Sequence, residues 1–137
     1  MKKYKIIFIL FFAIILMGCE RKTYSFKEPI DNIEKIEIVT AENSTVFEVD
    51  KTLTETEKTE FIERFQKIEF ENYFLGDPMS VSGRAIKITF DNGSYEMICH
   101  YWSEYVKDGE IYYVKKSCDE NEFNKLIDHF LEDSEAR

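Results

Sequence analysis

The dipeptide Asn92-Gly93 closes the run Ile86-Lys87-Ile88-Thr89-Phe90, in which apolar and polar residues alternate. A period of two marks a strand with one buried face. Asn-Gly is the strongest short hairpin signal, because both central residues of a two-residue turn need positive φ. The chain must therefore return as an antiparallel strand. The return runs from about Ser94 to Val106, turns at Asp108-Gly109, and comes back from Ile111 to Cys118. These three strands commit the second half of the chain to an antiparallel meander.

The first half carries a similar pattern. β-branched residues from Ile33 to about Thr40 and the segment Thr45 to Val49 flank a turn at Ala41-Glu42-Asn43-Ser44. Thr54-Glu55-Thr56-Glu57 resembles a capping box, and Phe61, Ile62, Phe65 and Ile68 follow at helical spacing, which predicts a helix over about 55 to 68. Tyr73-Phe74-Leu75 suits a short edge strand, and 76 to 84 form a loop. Asp119 and Glu122 repeat the capping arrangement ahead of Phe123, Leu126, Ile127, Phe130 and Leu131. The order ββα then βββα predicts an α+β fold: an antiparallel sheet of about five strands with two amphipathic helices packed on one face.

In front of this domain stand Lys2, Lys3 and Lys5, followed by an uninterrupted apolar run from Ile6 to Met17. Charge followed by apolar sequence is the layout of an export signal. The run is shorter than the roughly twenty residues that a spanning helix needs. It ends in Leu16-Met17-Gly18-Cys19, which resembles the lipobox of bacterial lipoproteins. The resemblance implies diacylglycerol on the Cys19 thiol, cleavage after Gly18 by signal peptidase II, and attachment to the cell membrane on its extracytoplasmic side. It covers the first nineteen residues and implies nothing about the domain behind them. The expected organisation is a signal peptide over 1–18, a lipidated tether over 19–29, and a single domain over 30–137. A flexible tether of about ten residues spans about 17 Å.

Residues 1–18 hold three lysines and no acid, so the mature chain keeps 15 basic against 27 acidic residues, a formal charge of −12. Nucleic acid is excluded as a partner, since phosphate binding needs clustered Lys and Arg. Acidic surface also does not adhere to anionic headgroups. The expected membrane partner is therefore reached through lipid on Cys19. The sequence sets no oligomeric state.

With Cys19 assigned to lipid, two cysteines remain. A two-residue turn at Asp108-Gly109 places Cys99 directly opposite Cys118, and a two-residue turn at Asn92-Gly93 puts Cys99 opposite Ile86, beside Met97 and Ile88. Both thiols then face the core. Export permits a disulfide between them, worth roughly 3 kcal/mol in the chain-entropy model. Against it, the pair falls at a hydrogen-bonded position, where cysteines bridge less comfortably. The alternative is two reduced core cysteines.

Chemistry-bearing motifs are scarce. His100 and His129 have no metal-ligand spacing, and His129 is expected to face solvent. Ser80, Ser82 and Gly83 do not form a nucleophile elbow, and no phosphate-binding glycine loop is present. No cofactor and no catalytic residue is assigned. On the outer face of the later strands, His100, Trp102, Tyr113 and Lys115 align across the hairpin. Exposed aromatics favour interfaces, so this is either a docking patch or a second small core covered by Tyr73, Phe74 or the loop. The expected function is a non-enzymatic binding or interaction module with a protein partner. The alternative is a small envelope hydrolase or ligand-binding protein with a cleft near residues 76–84.

Overall fold

The computed structural model describes residues 23–72 and 77–135. The signal segment, Cys19 and the Tyr73-Phe74-Leu75 stretch lie outside them. After a single 3₁₀ turn at Ile30–Asn32 come β1 (Ile33–Ala41), β2 (Phe47–Thr52), α1 (Glu55–Phe65), β3 (Glu71–Asn72) and β4 (Gly83–Phe90). They are followed by β5 (Tyr95–Ile98), β6 (Ser103–Lys107), β7 (Glu110–Tyr113), β8 (Lys116–Ser117) and α2 (Glu120–Glu135).

Local chemistry starts and stops these elements. The Asn43 side-chain oxygen accepts from the N–H groups of Thr45 and Val46, both at 2.9 Å, closing the β1–β2 turn. The capping box of α1 is complete: Glu57 N–H donates to Thr54 Oγ1 at 3.2 Å, and Thr54 N–H to Glu57 Oε1 at 3.1 Å. Asp119 accepts from Glu122 N–H at 3.0 Å to begin α2. The first helix ends at Phe65, three residues short of the expected Ile68, and its last carbonyls are taken up by tight turns through Gln66, Lys67 and Ile68.

Six strands form one sheet in the order β2-β1-β4-β5-β6-β7, every neighbouring pair antiparallel, and β3 and β8 make a separate short ladder. Both helices lie on one face. Ile36, Ile38, Ile86 and Ile88 from the sheet pack there against Phe61 and Phe65 of α1 and Phe123, Ile127 and Phe130 of α2. Full burial of each such side chain stabilises the fold by about 2 kcal/mol. This is the α+β architecture that the element order predicted.

The meander departs from expectation at two turns. At Asp91-Asn92-Gly93, Phe90 N–H donates to Ser94 O at 2.9 Å and Gly93 N–H to Phe90 O at 3.0 Å. Of the three loop residues only Gly93 has positive φ, at 86°. That is a three-residue loop ending in a glycine bulge, the next commonest hairpin connection. One extra loop residue exchanges the faces of the following strand. Ile86 consequently faces Ile98, and Ile88 faces Glu96. Met97 and Cys99 move to the face away from the helices.

The second departure splits the long strand. The chain folds back at Cys99–Trp102, with Cys99 N–H bonded to Trp102 O at 2.9 Å, and β5 pairs with β6. Nothing in Cys-His-Tyr-Trp signals a turn. Long-range contacts help hold it: Tyr101 Oη lies 2.5 Å from Ser82 Oγ and donates to Ser80 O at 3.2 Å. By contrast, Asp108 (φ 52°) and Gly109 (φ 79°) make the expected two-residue turn, with Lys107 opposite Glu110.

The segment expected to be tether is bound to the domain from Tyr24 onward. Tyr24 is only 4% exposed and belongs to the main core, with Phe26 packed beside it.

Candidate functional site

The four residues expected to form an outer patch do not share one exposed face. Trp102 is 1% exposed and sits with Val39, Ala85, Met97 and Cys99 in a second small core, which Val81 from the 77–82 loop covers. Tyr113 is 51% exposed, its ring centred 5.7 Å from that of Trp102. His100 lies in the β5–β6 turn, half-buried, edge-on to Tyr101 and with Nε2 4.0 Å from a Glu120 carboxylate oxygen. Lys115 follows the end of β7 in a left-handed conformation, φ 60°. The structure brings Trp102 and Tyr113 together, the first as support and the second as surface.

Cys99 and Cys118 are both free thiols, Cys99 buried and Cys118 half-buried. Beyond the kink at Lys115 the register has shifted: Cys118 N–H donates to His100 O at 2.7 Å, so His100 rather than Cys99 is its main-chain partner. A one-residue shift turns a side chain to the other face. Accordingly Cys99 packs in the second core and Cys118 against the main one. Burial, then the neighbouring Cys99, pushes the Cys118 thiol up to about 12, which leaves it a poor nucleophile near neutral pH.

The surface that stands out is β7 itself. It ends the sheet, and no described strand pairs with its outer side. In an antiparallel ladder, alternate residues turn their main-chain groups toward the neighbour. Lys107 and Glu110 flank the tight turn, and Tyr112 lies opposite Tyr105. Glu110 and Tyr112 thus bond inward to β6, while the N–H and C=O of Ile111 and Tyr113 point outward. Val114 keeps this parity, donating inward to Ser103 O at 3.0 Å. Ile111, Tyr112 and Tyr113 are 43%, 48% and 51% exposed, three consecutive large apolar residues on an edge that no described strand covers. Tyr112 Oη donates to Glu110 at 2.8 Å, and that hydrogen bond holds the phenol above its usual range.

The opposite edge is built differently. On β2, Glu48 and Asp50 are exposed, and a register break between Ile38 and Val39 leaves Asp50 without a residue opposite. Charges and bulges are how sheets blunt an edge against pairing. Strand β7 has a single charge at its start and no bulge.

Grooves among the described residues lie elsewhere. One of about 750 Å³ runs between the helices beside Glu60, Arg64, Lys67 and Lys125, and one of about 450 Å³ adjoins Cys118, Glu69 and Asp119. Neither is lined by the described residues 77–84. His129, expected to face solvent, is half-buried and joins α2 to α1, its Nε2 2.8 Å from the Glu60 carboxylate. Among the described residues no group of three or more His, Cys, Asp or Glu side chains is placed to hold a metal ion.

The outward edge of Ile111 and Tyr113 was the feature that sequence reading missed, although Glu-Ile-Tyr-Tyr carries the signal: a strand without alternation has two apolar faces and nothing to guard them. No family model, curated protein or solved structure matches the chain.

Proposed function

We propose that this chain is a membrane-anchored extracytoplasmic lipoprotein acting as an interaction module, with β7 as the edge onto which a partner protein adds an extended strand. The exposed run Ile111-Tyr112-Tyr113 on a sheet edge that no described strand pairs carries this reading. Strand addition draws affinity from main-chain hydrogen bonds and specificity from alternate side chains. Ile111 and Tyr113 offer both outward N–H groups, and Tyr112 and Tyr113 present broad amphipathic surface on either face of the strand. The lipobox at Leu16–Cys19 supports the anchoring half, in which the partner is met at the outer surface of the cell membrane.

Each half has its own test. A Cys19→Ser chain is expected to leave the membrane fraction and to take up no labelled fatty acid; wild-type protein without label would remove the anchor. For the edge, a photo-crosslinker at position 112 in intact cells is expected to give a discrete adduct that a crosslinker at Val49, on the guarded edge, does not give. Ile111→Pro deletes an outward N–H while leaving the bonds to β6 in place. It should abolish the adduct in a folded protein. An adduct that survives Ile111→Pro unchanged would rule out strand addition.

A further inference from the structure

Glu96 has no solvent exposure, the deepest carboxylate among the described residues. Both hydrogen bonds the structure gives it come from the segment ahead of the domain: Tyr24 Oη donates at 2.8 Å and Lys27 N–H at 3.3 Å. The same segment is held on either side of this contact. The Tyr24 ring packs against Phe26, Phe65 and Phe70 with centroids 5.0–5.4 Å apart. Glu28 accepts from Tyr105 Oη at 2.8 Å and from Asn92 Nδ2 at 3.2 Å.

We infer that residues 24–28 form a strap that latches the lipid-bearing end of the chain to the domain through Tyr24 and Glu96, giving the domain two reaches from the membrane. The consequence for reach rests on lipid at Cys19; the latch itself does not. With the strap closed, four residues separate Cys19 from Tyr24, and four residues extend at most about 14 Å. With it open as far as Asn32, the free chain spans up to about 45 Å.

The latch responds to pH because burial of its acceptor outweighs the hydrogen bonds and the positive charge that Lys27 brings to it. Groups facing Glu96 are Tyr24, Lys27 and Glu28 from the strap, with Lys27 contributing both its N–H and its positive charge. Strand β6 contributes Tyr105, which is opposite Glu96 and bonded to Glu28, and strand β4 contributes the apolar Ile88. Burial pushes the Glu96 carboxyl up to about 7. Opening the strap exposes the carboxyl and returns it toward the ordinary range, so the closed form binds the proton more tightly and acid favours closure. The opening constant is expected to rise by up to about 70-fold between pH 5 and pH 8.

Amide hydrogen exchange on the full chain in detergent, resolved by residue and corrected for intrinsic rates, tests the latch. The Lys27 amide is the reporter, and β4 amides monitor the fold. Lys27 protection should fall with rising pH while β4 stays protected. Glu96→Gln keeps an acceptor for Tyr24 but cannot titrate, and should flatten the pH response. Tyr24→Phe keeps the ring and should lower protection at both pH values. An unprotected Lys27 in a protected fold would overturn the proposal, as would an unchanged pH response in Glu96→Gln. Failure of Cys19→Ser to leave the membrane would count against the anchor alone, since exchange at Lys27 reads only the domain.

Discussion

The ammonium of Lys51 lies 2.6 Å from the main-chain carbonyl of Phe130, joining the edge strand β2 to the body of α2. The same nitrogen donates to the Glu57 carboxylate at 2.6 Å, inside the capping box of α1. One side chain thus ties the sheet to both helices at a site where each charged partner is only 14% exposed. Hydrogen bonds to charged groups at such sites contribute more than surface pairs. Lys51→Met is expected to cost about 2 kcal/mol, and Lys51→Arg less. Urea midpoints for the two variants check this; equal stability of wild type and Lys51→Met would show that the junction carries no energy.

Trp102 is the single tryptophan of the chain, and its burial makes it a structural residue. Truncation to alanine should cost about 3–5 kcal/mol through the cavity it leaves, whereas an exposed docking residue would leave stability nearly unchanged. Wild-type emission should be blue-shifted and resist aqueous quenchers until the protein unfolds. A solvent-like spectrum in the native state would contradict the second core.

The thiols give a chemical count. Native protein should react slowly with a thiol reagent, since Cys99 is buried and the Cys118 thiol is held up to about 12. After denaturation without reductant, two equivalents should react per chain in addition to whatever state Cys19 has. Zero equivalents would mean that the register shift at Lys115 does not keep Cys99 and Cys118 apart.

Stability should carry the mark of Glu96. Its carboxyl is raised in the folded state, so its contribution is fully present below the ordinary value of 4.5 and is lost as pH rises through about 7. By linkage the loss is at most about 3 kcal/mol. Other carboxylates, such as Glu60 held low by His129, follow the opposite sense. The comparison is therefore between wild type and Glu96→Gln across pH 5–8. The difference in their unfolding free energies should shrink or change sign as pH rises, and a constant difference would remove Glu96 as its source.

The parts of the fold that were legible in the sequence are those fixed locally. Thr54 and Glu57 bond to one another's backbone, so the start of α1 needs no tertiary information. Asp108-Gly109 specifies its own turn. The spacing of Phe123, Leu126, Ile127 and Phe130 declares the buried side of α2. What stayed hidden depends on long-range partners or on a single residue of loop length. Asn92-Gly93 signals a hairpin, but two-residue and three-residue loops differ by one position, and that position decides whether Glu96 or Met97 faces the helices. The turn at Cys99–Trp102 is held through Tyr101 by Ser80 and Ser82, which no local pattern reveals. Tyr24-Ser25-Phe26 carries a trace of the strap in its alternation, set within a stretch that otherwise reads as a polar tether. The candidate edge was legible only in part: Tyr113 was named, but as a cross-strand patch with Trp102 rather than as the outer side of the sheet.

The sheet order also dictates a sequence of events. Strand β1 lies between β2 and β4 and pairs with β4 along its whole length, Ile38 opposite Ile86. Pairings between distant parts of a chain form slowly, because loop closure precedes any reward from contact. The meander β4 to β7, joined by tight turns, can assemble without them. A chain delivered amino end first therefore presents β1, β2 and α1 before the strand that completes their core exists. During synthesis that half waits for β4, because β1 completes its pairing only with a strand made later.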